Sequence, residues 1–224
     1  MSGSGSLAFP VVVTAPSGTG KTTIARRVVA SSRSLVFSVS ATTRDPRQGE
    51  EDGTDYDFLS RLDFERMIHR GELSEWAEVH GQLYGTPARG LREAEDRGVH
   101  AVLDIDVQGA LQVRESFPTA VLIFVFPPSA GDLLARLRGR GSEGSPEVRR
   151  RLKDARSELV EAHAFDYVIV NDDLDVAVEQ VRRIVEVEGL SVQRSVGLPG
   201  EVDQMRQEID EILDDGGALG PSGG

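Results

Sequence analysis

The chain has 224 residues, 39% hydrophobic and 28% charged, which is enough for one domain with small insertions around a real core. It contains no cysteine, so a disulfide framework, a cysteine-based metal site and a cysteine nucleophile are excluded, and its formal net charge of −12 speaks against a general nucleic-acid binder, which carries a basic face. The start, MSGSGSLAFPVVV, lacks the basic n-region of a signal peptide, and no apolar run approaches the roughly 20 residues of a membrane span, so a cytoplasmic protein that does not engage membranes is expected.

Taken in chain order, residues 1–9 read as a flexible start and 10–15 (PVVVTA) as a β-branched strand. A Gly/Ser/Thr-rich turn follows, then a helix over 21–30 with apolar residues at helical spacing. A strand at 35–38 comes next. Residues 42–85 break the rhythm with a polar, Gly-rich loop, an extended piece at 56–58, a helix near 63–70 and an extended piece at 73–79. They read as a small inserted subdomain. Alternation resumes with a helix at 87–97 stopped by Gly98, a buried strand at 101–105, a helix at 107–115 and a strand at 121–126. After Pro127 and Pro128 come a helix at 132–138, a Gly/Ser loop, a helix at 146–164, a strand at 167–170 and a helix at 175–187. Strands alternating with helices predict an α/β fold with a parallel central sheet covered on both faces. Residues 129–163, rich in arginine and glycine before the long helix, suit a mobile cover over an anionic ligand or a solvated helical excursion.

Residues 15–22, APSGTGKT, match the phosphate-loop pattern GxxxxGK[ST] except that Ala15 stands at its first position. Gly18 and Gly20 let backbone amides approach a phosphate, and the following helix adds the positive end of its dipole. Lys21 is placed to neutralise phosphate oxygens and the Thr22 hydroxyl to ligate magnesium. A dinucleotide-binding turn is the rival reading, but Gly18 and Gly20 are not followed by the third glycine of GxGxxG. A phosphate loop also calls for a carboxylate at the end of a neighbouring strand, to hold the magnesium shell through water. Asp104 fits that place, and Asp106 suits the cap of the next helix.

From Phe37 the chain reads FSVSATTRDPR, then Gly49-Glu50, Gly53 and Asp55-Tyr56. Glu75-Trp76, Tyr84-Gly85-Thr86, LDIDVQG from Leu103, the RL and GRG pieces within 136–141 and Val170-Asn171-Asp172-Asp173 follow in order. In this combination the chain resembles guanylate kinases over nearly all of residues 10–187. The resemblance implies a P-loop kinase, with a core of 10–37, 87–127 and 164–187, an acceptor-binding subdomain at 38–86 and a helical lid at 128–163. It implies transfer of a phosphoryl group from ATP, with magnesium, to GMP and dGMP, serving purine nucleotide recycling.

The resemblance also implies roles. ATP would lie on Ala15, Pro16, Ser17, Gly18, Thr19, Gly20, Lys21, Thr22 and Thr23, with Asn171 beside the adenine. The GMP phosphate would be held by Arg44, Arg47, Tyr56 and Tyr84; the two arginines are three apart in a loop broken by Pro46, so both guanidinium groups can turn to one dianion. Glu75 would accept from the N1–H and amino group of guanine, where adenine presents no N1 donor. Ser40, Thr86 and Asp104 would complete the base site, Thr86 standing where serine is common. Lys21, Arg44 and the lid residues Arg136, Arg140 and Arg151 would serve the transfer itself, with Arg149 and Arg150 pointing elsewhere on the helix.

Two other readings follow from the same residues. A guanylate-kinase-like module that binds proteins would have lost the phosphate loop, which is intact here. A kinase for another acceptor such as ribose bisphosphate would not need Glu75 with both tyrosines. His69, His80, His100 and His163 are scattered without metal-ligand spacing and read as structural or surface residues, and Trp76 reads as packing. Residues 188–224 lie outside the resemblance as an acidic extension, with seven acids and one arginine between 201 and 215. Val202, Met205, Ile209 and Ile212 share one helical face there, expected to pack on the body rather than bind a partner. The tail 216–224 reads as disordered. Monomer and homodimer both remain open.

Overall fold

The computed structural model describes residues 7–79, 81–138 and 145–214. Its elements are β1 (Val11–Thr14), α1 (Lys21–Ala30), β2 (Leu35–Phe37), β3 (Ser40–Thr42), β4 (Tyr56–Phe58), α2 (Arg61–Arg70), β5 (Leu73–Val79) and β6 (Gln82–Pro87). There follow α3 (Ala88–Asp96), β7 (His100–Asp104), α4 (Val107–Ser116), β8 (Val121–Phe126), α5 (Ala130–Arg138), α6 (Ser145–Val160), a 3-10 turn (Glu161–Ala164), β9 (Tyr167–Val170), α7 (Leu174–Gly189) and α8 (Leu198–Asp214).

Strand β1 organises the main sheet because successive side chains of a strand face opposite ways. Val11 and Val13 enter one core with Ile24, Ala25 and Val28 of α1 and Ala177, Val178 and Val181 of α7. Val12 enters the other, with Leu91 and Ala94 of α3 and Ala110 and Val113 of α4. Each of these valines is fully buried, which stabilises the fold by about 1.5–3 kcal/mol per side chain. The five strands run in the order β2-β7-β1-β8-β9, every pairing parallel. Helices therefore cover both faces of a parallel sheet, as the alternation of elements predicts.

A second sheet, β4-β3-β6-β5, lies within residues 40–87. It contains two strands that the sequence reading leaves as loop, β3 and β6. Phe64 of α2 is buried against Ala41 and Leu83 beneath it. Helix α2 starts two residues earlier than expected because Ser60 caps it, accepting from the Asp63 N–H at 3.1 Å, and it stops at Gly71 with φ +64°. Helices α5 and α6 share a small core of Leu133, Leu137, Val148 and Ala155. Arg140 lies outside the described residues, as do His80, the start through residue 6 and the tail from 215 onward.

One feature differs from the sequence reading. Phe9, assigned to a flexible start, is fully buried and its ring lies 4.1 Å from that of His100, whose Nδ1 accepts from the Phe9 N–H at 3.2 Å. A large aromatic ring gains too much by burial to stay in a loose leader. The described chain also divides into two compact units, Ala8–Val185 and a second comprising Leu7 with residues 186–214. In the second unit the Leu7 N–H donates to the Arg194 carbonyl at 2.8 Å, and Arg194 pairs with Glu188 at 2.9 Å. Within that unit no residue of α8 is buried, and Val202, Met205, Ile209 and Ile212 are 46–57% exposed. The helix is supported along its polar side by Gln204 with Glu208 and Gln207 with Glu211, pairs four residues apart.

Candidate active site

The loop between β1 and α1 folds back on itself through a bond from the Thr19 N–H to the Pro16 carbonyl, 3.1 Å. Gly18 and Gly20 take φ of +92° and +97°, a region that favours glycine. Gly20 is also the N-cap of α1 and supplies no side-chain acceptor, so the first amides of that helix remain available to an anion. A cavity of about 240 Å³ opens over Ala15, Ser17, Gly18, Gly20, Lys21 and Thr22, with Asp106 and Glu158 on its walls. The Lys21 Nζ lies 2.9 Å from Asp104 Oδ1 and donates to the Ile105 carbonyl at 2.8 Å. Asp106 caps α4 by accepting from the Gly109 N–H at 2.8 Å, the role expected of it.

The helical pair α5 and α6 reaches the same loop. Arg136 donates to the carbonyls of Thr19 at 3.2 Å and Asn171 at 2.9 Å, while the Asn171 amide donates to the Thr19 carbonyl at 2.6 Å. Thr23, Arg136 and Asn171 line a further cavity on the outer side of the loop. Of the three consecutive arginines on α6, Arg151 is the one that donates to the Ser17 hydroxyl, at 2.7 Å; Arg149 and Arg150 are exposed. Glu158 lies on the same helical face two turns later, lines the same cavity as Ser17, and has its carboxyl held above its ordinary range chiefly by burial. The sequence reading does not include Glu158: it shares a helical face with Arg151, but nothing along the chain marks it as facing the phosphate loop.

A second cavity, of about 200 Å³, lies on the other side of Lys21. Ser40, Tyr56, Glu75, Tyr84, Asp104 and Asp106 line it together with Lys21. Glu75 comes from β5, where the register against β6 shifts between Leu73 and Glu75, so that Glu75 faces Thr86. Its carboxylate accepts from the Thr86 hydroxyl at 2.7 Å and is only 6% exposed. Burial raises its pKa to about 7, against the opposing pull of the Thr86 hydrogen bond, and the nearby Asp106 carboxylate adds to the rise. Trp76, expected to pack, is 41% exposed; its backbone is held instead by the Gln112 side chain, which accepts from its N–H at 3.1 Å and donates to its carbonyl at 3.2 Å.

Arg44 stands at the rim. Its guanidinium lies over the rings of Tyr56 and Phe58, 4.8 and 5.5 Å from their centroids, and donates to both oxygens of Glu50 at 2.6 and 2.7 Å. The Arg47 backbone N–H donates to the same carboxylate at 2.8 Å, whereas the Arg47 side chain is exposed. The hydrogen bonds from Arg44 hold the Glu50 carboxyl down at about 2, well below the ordinary carboxylate range. Tyr56 and Tyr84 meet edge to face at 6.3 Å. Glu50 is a second residue the sequence reading assigns no role, because its partner is fixed by the turn of the loop and not by spacing.

The fold thus sets Ser40, Tyr56, Glu75, Tyr84 and Asp104 on the wall of one cavity, with Thr86 bonded to Glu75 and Arg44 over Tyr56, and most of residues 15–22 on the wall of another, with Arg151 bonded to Ser17; Lys21 lines both. Oxygen donors near the loop include the Ser17 and Thr22 hydroxyls and the Asp106 and Glu158 carboxylates, with Asp104 beside Lys21. Among the described residues no group of three or more His, Asp or Glu is placed to hold a metal ion. Such a donor set suits a hard cation that keeps water and phosphate oxygens as most of its ligands, the habit of magnesium.

The sequence profile of the guanylate kinase family matches residues 8–188. The guanylate kinase of Caldanaerobacter subterraneus subsp. tengcongensis is 43% identical over 188 residues, covering 84% of this chain and 91% of its own. That of Nocardia farcinica is 50% identical over 173 residues, covering 76% and 90%. The crystal structure of guanylate kinase from Anaplasma phagocytophilum superposes with a TM-score of 0.73 at 36% identity, covering 89% of this chain and 95% of that one. By profile, sequence and fold, the chain belongs to the guanylate kinase family.

Proposed function

We propose that the chain transfers the terminal phosphoryl group of ATP to GMP, and to dGMP, giving ADP and GDP. The observation that carries the guanine assignment is the buried Glu75 carboxylate, lining a cavity that Lys21 of the phosphate loop also lines. A carboxylate there accepts from N1–H and the exocyclic amine of guanine together, while adenine would set an acceptor against it. Ser40, Thr86 and Asp104 complete the base contacts; Arg44, Arg47, Tyr56 and Tyr84 hold the acceptor phosphate.

Residues 15–23 take the donor phosphates, with Asn171 on the nucleoside side. The acceptor phosphate is already a nucleophilic anion, so alignment and charge neutralisation suffice, and no side chain need act as a base. Its oxygen bonds to the terminal phosphorus as the bond to ADP breaks. Arg44, Arg136, Arg140 and Arg151 neutralise charge around the moving group, and Lys21 leaves Asp104 to meet the donor. Thr22 directly, and Asp104 through water, would hold magnesium, which supplies charge neutralisation across the donor phosphates. In this reading residues 38–86 are the acceptor subdomain, 128–163 the lid and 188–224 an extension outside the catalytic unit, and the enzyme serves purine nucleotide recycling in the cytoplasm.

Offered separately with ATP and magnesium, GMP and dGMP should support ADP formation at kcat/KM at least about 10³-fold above AMP and UMP. Equal rates with AMP and GMP would overturn the guanine assignment. Glu50 should act as the residue that orients Arg44. Substituting Glu50→Gln removes the charge and one of two acceptors, and is expected to raise the KM for GMP about tenfold while leaving that for ATP within twofold. Steady-state rates with each substrate varied in turn check this.

A further inference from the structure

We infer that Gly109 is a specificity-determining position: a missing side chain in the first turn of α4 gives the Glu75 carboxylate its place. The inference rests on the reading of Glu75 as the guanine-recognising residue. A β-carbon built on Gly109 would lie 2.7 Å from Glu75 Oε2 and 3.2 Å from its Cδ, with Asp106 Oδ1 at 3.4 Å. No carbon and carboxylate oxygen rest at 2.7 Å, so something must move.

The backbone does not ask for glycine here. Gly109 is not among the residues with positive φ and lies within a regular helix, where glycine is less favourable than alanine. What yields to a methyl group is the far end of a flexible side chain, and that end is the functional carboxylate. Glu75 Oε1 is tied to the Thr86 hydroxyl, so retreat of Oε2 rotates or withdraws the plane that faces the cavity. The fold can absorb that displacement, but a two-point hydrogen-bonded base contact cannot. Gly90 in α3 offers the contrast: it too is helical, and a β-carbon there meets nothing within 4 Å.

Four proteins test this against the parent enzyme: Gly109→Ala, Glu75→Ala, the double variant and the control Gly90→Ala. For each, the KM for GMP, the KM for ATP, kcat, the ratio of kcat/KM for GMP over AMP, and thermal melting are measured. Gly109→Ala is expected to raise the KM for GMP about 10- to 100-fold and to shrink the GMP preference by a like factor. Its KM for ATP and its kcat should stay within threefold and its melting should be cooperative and no lower than that of the parent. In the Glu75→Ala background the same change should add less than threefold, because the group it displaces is gone, and Gly90→Ala should leave both KM values unchanged. A Gly109→Ala enzyme within threefold of the parent for GMP, while Glu75→Ala is impaired, would overturn the inference. So would fully multiplying effects in the double variant, or a Gly109→Ala protein that fails to melt cooperatively, since the clash would then fall on the backbone. An unimpaired Glu75→Ala enzyme would instead overturn the reading of Glu75 itself, and this inference with it.

Discussion

Substituting Glu75→Gln is expected to lower kcat/KM for GMP about 10³-fold while the KM for ATP stays within twofold. Glutamine keeps the length of glutamate but offers one acceptor and one donor, so an amide N–H meets a donor on the guanine edge. Losing one charge-assisted bond and setting donor against donor costs about 4 kcal/mol, which is the 10³-fold stated. A parallel loss for ATP would remove Glu75 from the base site. The same change should raise stability. The Glu75 pKa is about 7 in the folded protein against an ordinary 4.5, so the folded state holds this proton more tightly than the unfolded chain. Its contribution is fully present below pH of about 4.5 and is lost as pH rises through about 7, leaving a cost of about 3 kcal/mol above that. Thermal melting at pH 8 should therefore find Glu75→Gln several degrees above the parent and at pH 4.5 close to it. The residue costs stability where it serves recognition, a trade common at functional sites.

The second large effect is on catalysis itself. Lys21→Ala is expected to lower kcat about 10³-fold with both substrates saturating, because one preorganised cation is lost at the group that gathers charge. The substitution reaches the other cavity too. Lys21 lies 2.9 Å from Asp104 and its charge opposes the raised pKa of Glu75. Without it Glu75 stays protonated to a higher pH, so at pH 7 the KM for GMP should rise a few-fold and recover at pH 9. Single-turnover rates separate the two losses. A kcat within tenfold of the parent would mean that Lys21 is structural here.

The two cavities were legible in the sequence to different depths. Helix α1 was read to its first and last residue because everything that defines it is local: a valine run, two glycines, then apolar residues at helical spacing. Strands β3 and β6 were missed for the opposite reason. Strand β3 is only three residues long and is held by β6, distant in sequence, while β6 contains Gly85, ends on Pro87 and joins β3 as well as its neighbour β5. The residues proposed for guanine and phosphate came from family resemblance, and the fold gathers most of them around one cavity. Spacing alone could not have done so, since Ser40, Glu75 and Asp104 sit on three strands of two sheets. Glu50, Glu158 and Gly109 stayed silent because what each does depends on a partner contact. A carboxylate turned onto Arg44, another set against the phosphate loop, and a space left for Glu75 have no signature along the chain. The helical period of residues 202–212, by contrast, is local and reads directly as α8.

If an ionised Glu75 reads guanine, GMP binding must release its proton. Titration calorimetry at pH 7 in two buffers of different ionisation enthalpy counts the protons. A carboxyl with a pKa of about 7 is half protonated there and must ionise to accept from guanine, so it gives up about half a proton. The phosphate, with a second pKa near 6, adds only about one-tenth. Release of about half a proton or slightly more is expected for the parent protein and about one-tenth for Glu75→Gln; equal release from the two proteins would remove Glu75 from guanine recognition.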